Sequence, residues 1–170
     1  MSKIAFIFPG QGAQKTGMGK DFYEQSQRAA EIYDAASKRL KEEMEIDIRT
    51  LCFDENDKLD QTAYTQAALV TTCLAMARTL EEKGVRADVT AGLSLGEYCA
   101  IAVAGGMSDL DAVWAVRKRG VLMEEAVPTG VGAMAAVLGL SAEQIEKVTE
   151  EIRGVTVANY NCPGQVVITG

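Results

Sequence analysis

Histidine is missing from the chain altogether: none of the 170 residues is His. A serine nucleophile usually hands its proton to an imidazole, so the sequence cannot complete a Ser-His pair from its own residues. Positive charge is also short, with 17 Lys and Arg against 24 Asp and Glu and a net charge of −7. Nucleic acid requires a basic face to displace counterions from phosphates, and that partner is excluded. Long apolar runs are lacking too. The least polar stretches, 67–77 and 99–107, are too short or too broken by Thr and Gly to span a bilayer, so no membrane partner is expected. The N-terminus runs from Met1-Ser2-Lys3 through a brief apolar segment into Pro9-Gly10, without the long apolar region and small-residue cleavage site of a secretory signal. Cys52, Cys73, Cys99 and Cys162 have no paired spacing of the metal-binding kind. They read as reduced thiols of a cytoplasmic protein rather than disulfides or zinc ligands. Neither a metal nor a cofactor is expected.

What is present is an ordinary globular composition, 48% hydrophobic and 24% charged, at a length suited to one domain or one and a fraction. Residues 4–8 form a short apolar run bounded by Pro9-Gly10, which reads as a buried strand. Phe22, Ala29, Ile32, Tyr33, Ala36 and Leu40 then recur at helical spacing within one long helix over 18–43. The acidic stretch 46–60 reads as loop, and 65–83 as a helix closed by Gly84. A second strand over 87–92 leads into a helix over 95–104, ended by Gly105-Gly106. Ser108, with Asp111 three residues on, starts a helix that runs to about 125. After the break at 128–132, a strand over 133–139 precedes a helix over 142–153 capped by Ser141. Strands over 155–158 and 165–169, joined through 159–164, end the chain. The alternation predicts an α/β fold with a parallel sheet for 1–127, with helices on both sides. The β-α-β-β order of 128–170 predicts an incomplete α+β subdomain of the split β-α-β type.

The strongest chemical signal is Gly92-Leu93-Ser94-Leu95-Gly96 between a predicted strand and a predicted helix. A serine at the tip of such a sharp turn stands above the carboxyl edge of the sheet in a strained backbone conformation, and the flanking glycines let strand and helix approach. The helix behind it supplies partial positive charge and the Leu95 N–H, which suits an oxyanion. Gly10-Gln11-Gly12 follows the first strand and would lie at the same sheet edge if the two strands are neighbours, where a backbone N–H of this loop could be a second oxyanion donor. Taken alone, that loop is no more than a turn. Arg117, Lys118 and Arg119 are adjacent on one helix, so they cannot share a face, and at most one or two point toward Ser94. An inward guanidinium would suit an acyl group carrying a carboxylate, which it pairs bidentately. The base is the missing part. No S-x-x-K spacing replaces it, and an aspartate partner cannot be placed from sequence alone.

Taken together, these motifs resemble the malonyl-CoA:acyl-carrier-protein transacylases of fatty-acid synthesis and the related acyltransferase domains of polyketide synthases. The resemblance is carried by Phe8-Pro9-Gly10-Gln11-Gly12 with Gly17-Met18-Gly19, and by Tyr64-Thr65-Gln66-Ala67-Ala68-Leu69. It continues through Ala91-Gly92-Leu93-Ser94-Leu95-Gly96-Glu97-Tyr98 and Arg119-Gly120-Val121-Leu122-Met123. Gly132-Ala133-Met134-Ala135-Ala136-Val137 and the run from Asn161-Cys162-Pro163-Gly164 to Ile168-Thr169-Gly170 complete it. The resemblance implies a hydrolase-like parallel sheet and a ferredoxin-like small subdomain. It implies a ping-pong reaction in which Ser94 accepts malonyl as an ester from malonyl-CoA and the phosphopantetheine thiol of acyl carrier protein removes it. It gives the oxyanion to the N–H groups of Gln11 and Leu95 and the malonyl carboxylate to Arg119, and it leaves Arg117 on the surface. The family commonly has His where this chain has Leu93, one residue before the nucleophile. The resemblance covers roughly the N-terminal half of such an enzyme and places the catalytic histidine beyond residue 170.

Three readings stay open at this point. The chain is a fragment of a malonyl transacylase, a non-catalytic module that binds coenzyme A or acyl carrier protein, or an unrelated serine hydrolase. Arg119 speaks against the last, because a hydrolase has no need of a carboxylate clamp. Exposed strand edges and apolar faces, with self-association of the isolated chain, are expected of a fragment.

Overall fold

The structure, a computed structural model, describes residues 3–128 and 130–170. It is a mixed α/β fold with one parallel and one antiparallel sheet, and the chain divides into two compact units, Met1–Glu124 and Glu125–Gly170.

In the first unit, β1 (Ala5–Phe8) pairs in parallel with β2 (Val89–Gly92), Ala5 opposite Val89 and Phe8 opposite Gly92. The connection between them holds α1 (Lys20–Gln25), α2 (Gln27–Leu40), α3 (Ile48–Phe53) and α4 (Thr62–Glu82); α5 (Gly96–Val103) and α6 (Asp109–Ala126) follow β2. Alternation along the strands puts Phe6, Phe8 and Thr90 on one face, where Phe8 is buried and Thr90 bonds the Ala100 carbonyl of α5. The other face is open, with Ile7 77% and Val89 54% exposed. The expected cover of helices on both sides is thus corrected: among the described residues the helices pack on one face of this sheet, and β1 is half-buried rather than buried.

The core lies around α4, whose Ala67, Ala68, Leu69, Val70, Leu74, Ala75 and Ala77 are buried against Tyr33, Ala36 and Leu40 of α2. Small side chains let the two helices approach closely. The buried hydroxyls of Thr72 and Thr79 donate back to the carbonyls of Ala68 and Ala75 one turn earlier. The expected helix over 18–43 is broken at Ser26, which is extended (φ −127°) and accepts the Ala29 N–H to cap α2. Its hydroxyl also sits 2.9 Å from Thr79 Oγ1, fixing the break against α4. The stretch read as loop contains the short helix α3, capped by the Asp47 carboxylate on the Arg49 N–H. At the far end of α4, Arg78 pairs with Asp109 at 2.7 Å and bonds the Ala102 carbonyl, tying α4 to α5 and α6.

In the second unit, β3 (Met134–Leu138) and β4 (Thr156–Cys162) each pair antiparallel with β5 (Gln165–Thr169), which lies between them. Helix α7 (Ala142–Glu151) starts in a capping box in which Ser141 and Gln144 each satisfy the other's backbone N–H. β4 runs four residues past its expected end, to a tight turn at Pro163-Gly164. Register shifts between Val157 and Asn159 and between Tyr160 and Cys162 break the alternation that would have marked it as one strand.

Candidate functional site

Ser94 has φ +48° and is the sole non-glycine residue with positive φ among the described residues. That strain belongs to a turn squeezed between β2 and α5. A Cβ on Gly92 would lie 2.0 Å from the carbonyl carbon of Gly96, and one on Gly96 would lie 2.3 Å from the Phe8 carbonyl oxygen. Both neighbours are backbone, so only glycine fits at either position. The turn in this way crosses against β1 with Ser94 exposed at its tip and Leu95 buried behind it.

The loop after β1 arrives at the same place. Leu93 donates its N–H to the Phe8 carbonyl at 3.1 Å, and a Cβ on Gly10 would meet the Leu93 carbonyl at 3.1 Å. Gln11 and Ser94 are therefore brought to one edge of the sheet. The backbone N–H groups of Gln11 and Leu95 have no hydrogen-bond partner among the described residues. Leu95 stands at the N-terminal end of α5, where the helix dipole is positive. Two unpaired N–H donors beside an exposed hydroxyl can hold an oxyanion.

The three basic residues of α6 separate completely. Arg119 donates from Nη1 to Gln66 Oε1 at 2.7 Å and from Nη2 to Ser94 Oγ at 3.1 Å. Lys118 points away to Glu43, at 3.0 Å, with its side chain 48% exposed. Arg117 was expected on the surface, and this is corrected: it is 7% exposed, and its guanidinium donates to the carbonyls of Ala63 and Glu43. The physical reason is helical geometry. Residues two apart point in nearly opposite directions on a helix, so the two arginines flank the contact of Gly120 with the start of α4, Arg119 reaching Ser94 and Gln66 on one side and Arg117 the Ala63 carbonyl on the other.

Gln66 was not singled out from the sequence, yet it organises the site. It is fully buried on α4, accepts from Arg119, and donates to Gln11 Oε1 at 3.3 Å. Gln11 in turn donates to Thr62 Oγ1 at 3.0 Å. A chain of polar groups thus runs from Ser94 through Arg119, Gln66 and Gln11 to Thr62. The available signal is an amide side chain at the head of the apolar run 67–70, since a buried polar group must find partners.

Among the described residues, Arg119 is the hydrogen-bond partner of Ser94 Oγ, and no base contacts it. No group of three His, Cys, Asp or Glu among the described residues is placed to hold a metal ion, and no described helix is long and apolar enough to cross a membrane. The site can accordingly present a nucleophile, two oxyanion donors and a cation to a carboxylate-bearing acyl group.

The acyl transferase domain family model matches residues 5–170. The malonyl CoA-acyl carrier protein transacylase of Bacillus subtilis (strain 168) is 50% identical over 175 aligned positions, which cover 100% of this chain and 54% of that protein. The crystal structure of malonyl CoA-acyl carrier protein transacylase from Clostridium perfringens superposes with a TM-score of 0.87 at 41% identity, covering 99% of this chain and 54% of that one. A type II polyketide acyl-carrier protein in complex with its malonyl-transacylase matches with a TM-score of 0.88 at 38% identity, over 99% and 55%. The chain spans about half the length of the curated relatives it matches.

Proposed function

We propose, since the chain belongs to the acyl transferase domain family, that it carries the nucleophile side of a malonyl transfer from malonyl-CoA to acyl carrier protein. Ser94 Oγ attacks the thioester carbonyl, coenzyme A leaves as the thiol, and the malonyl ester waits for the phosphopantetheine thiol of the carrier protein. The N–H groups of Gln11 and Leu95 take the negative charge of each tetrahedral intermediate; losing one such donor costs about 10²–10³ in rate. Arg119 swings its Nη2 from Ser94 Oγ to the malonyl carboxylate while Gln66 keeps hold of Nη1. The proton leaving Ser94 needs an acceptor, and with no histidine in these 170 residues the reaction proposed is that of a protein of the relatives' length.

The observation that carries this reading is the guanidinium of Arg119, 3.1 Å from Ser94 Oγ and anchored on a fully buried amide. A cation so close to a nucleophile selects an acyl group with a negative end. On the same reading, 1–127 is part of a hydrolase-like acyltransferase domain and 128–170 part of a ferredoxin-like subdomain. The split arrangement of β3 and β4 around β5 supports the second assignment. The free thiols of the chain suit a cytoplasmic setting.

The test uses the chain as it is, with imidazole in solution as the missing base. Incubation with malonyl-CoA, followed by intact mass and peptide mapping, should find a malonyl ester on Ser94 that forms faster with imidazole and disappears in Ser94→Ala. An adduct that survives Ser94→Ala, or equal acylation by acetyl-CoA, would refute the reading. Tight binding of malonyl-CoA with no acyl-serine at any imidazole concentration would point instead to a binding module.

A further inference from the structure

We infer that Arg117 is a positioning residue for this site: it grips the first turn of α4 and thereby sets how Arg119 is presented to Ser94. The inference rests on reading Arg119 as the carboxylate clamp.

Arg117 is an expensive residue to place where it is. Its guanidinium is buried, yet among the described residues no carboxylate lies within ion-pair distance of it. Its partners are neutral: the Ala63 and Glu43 carbonyls and the face of Tyr64, 4.8 Å from Cζ. Its Nε is buried without a hydrogen bond. Ala63 also lies in the first turn of α4, where the helix dipole is positive and adds repulsion. Replacing a buried ion by an apolar side chain of similar volume is often neutral or stabilising, so stability alone gives no reason for an arginine here.

Geometry gives one. Gly120 lies one turn beyond Arg117 on the same face of α6, and a Cβ on it would come within 2.6 Å of the Thr62 carbonyl oxygen. The two helices therefore meet backbone to backbone at the start of α4. Arg117 closes that contact by bridging it to Glu43, whose carboxylate also accepts the Trp114 indole N–H at 2.8 Å. The amide that holds Arg119 Nη1 hangs from the turn so held. Thr62 receives Gln11, and Gln66, one turn on, receives Arg119 and donates to Gln11. A planar fork reaching two carbonyls on different segments fixes both position and tilt, which a lysine or an apolar side chain cannot do. Loosening this turn lets Gln66 drift, and Arg119 with it. The hydroxyl of Ser94 and its oxyanion donors stay on the β2–α5 turn and the β1 loop.

The experiment compares the wild-type chain with Arg117→Met and Arg117→Lys. Initial rates of Ser94 acylation by malonyl-CoA and by acetyl-CoA, with imidazole present, are read by intact mass. Arg117→Met should lower the malonyl-to-acetyl ratio about tenfold, since misplacement by an ångström is felt strongly in the reacting geometry. The acetyl rate should hold, and Arg117→Lys should recover part of the ratio. Far-UV circular dichroism and the fluorescence of Trp114 check that each variant is folded. An unchanged ratio in folded Arg117→Met overturns the inference, and so does an equal fall in both rates, which is what a merely structural residue would give. If Arg117→Met fails to fold, Arg117→Lys decides alone: a lowered ratio supports the inference and an unchanged one overturns it. A wild-type chain that shows no preference for malonyl-CoA refutes the clamp reading itself, whatever the variants do, and removes the inference with it.

Discussion

Gly96→Ala sets two effects against each other, and the structure decides between them. Gly96 is the first residue of α5 and does not sit in the left-handed region, so alanine is conformationally allowed. Helix propensity favours alanine over glycine by at most about 1 kcal/mol, and less at a helix end. Against that, the new methyl group would lie 2.3 Å from the Phe8 oxygen, 2.7 Å from the Phe8 carbonyl carbon and 2.7 Å from the Pro9 oxygen. All three are backbone atoms of β1 and its loop, so no side chain can rotate away. Relief requires α5 to move off the sheet by roughly an ångström, and overpacking of this kind costs about 1–3 kcal/mol, at the upper end where backbone must shift. The net expectation is destabilisation by about 2 kcal/mol. Gly10→Ala is the comparison, because its nearest neighbour is the Leu93 carbonyl at 3.1 Å, a contact that a few tenths of an ångström relieve. Urea titration followed by Trp114, the single tryptophan, reads both. With a slope of about 1–3 kcal/mol per molar, the Gly96→Ala midpoint should fall by roughly 1 M and the Gly10→Ala midpoint by much less. A Gly96→Ala chain as stable as wild type would refute the claim that the elbow is limited by backbone contact.

Three further outcomes follow from single contacts. Ser26→Ala removes the α2 cap and leaves the buried Thr79 hydroxyl short of a partner, and should cost about 1–2 kcal/mol in the same titration. The Glu43 carboxyl is pushed up by burial but held below its ordinary value of 4.5 by Lys118, Trp114 and Arg39. A depressed carboxyl contributes stability that is full above 4.5 and lost as pH falls through its folded value, so thermal melts on the acid side should steepen in wild type and flatten in Glu43→Gln. Burial pushes the Cys52 thiol up to about 12, whereas Cys162 is exposed. Iodoacetamide at mild alkaline pH should therefore label Cys162 well before Cys52 in peptide maps of the folded chain.

The elements that could be read from sequence are those with a local signature. The G-x-S-x-G turn is legible because its glycines answer a close approach that any strand-turn-helix crossing imposes, and the caps Ser108 and Ser141 are legible because each stands directly before the helix whose N–H it accepts. Ser26 was missed for the opposite reason. The apolar spacing continues across it from Phe22 to Leu40, and the break is fixed by Thr79, 53 residues away. β4 is longer than its pattern suggests because two register shifts hide the period-two alternation without ending the strand. The open face of the β1–β2 sheet could not be read either, since an apolar run such as Ile4-Ala5-Phe6-Ile7-Phe8 marks what a strand can bury, not what covers it.

The basic run of α6 shows where such reading stops. Sequence establishes that Arg117, Lys118 and Arg119 must diverge, because a helix turns by about 100° per residue. It cannot assign the three directions, since that needs the rotation of α6 about its own axis, and the rotation is set by Gly120 seating against Thr62. Once it is set, every assignment follows: Arg119 falls toward Ser94, Lys118 toward Glu43 at the surface, and Arg117 into the start of α4. A glycine thus determines which of two arginines reaches Ser94. Enlarging it should turn α6 and weaken both the Arg117 and the Arg119 contacts together. On the proposed function, Gly120→Ala should therefore lower the malonyl-to-acetyl ratio of Ser94 acylation, read by intact mass with imidazole present, without any change to a charged residue.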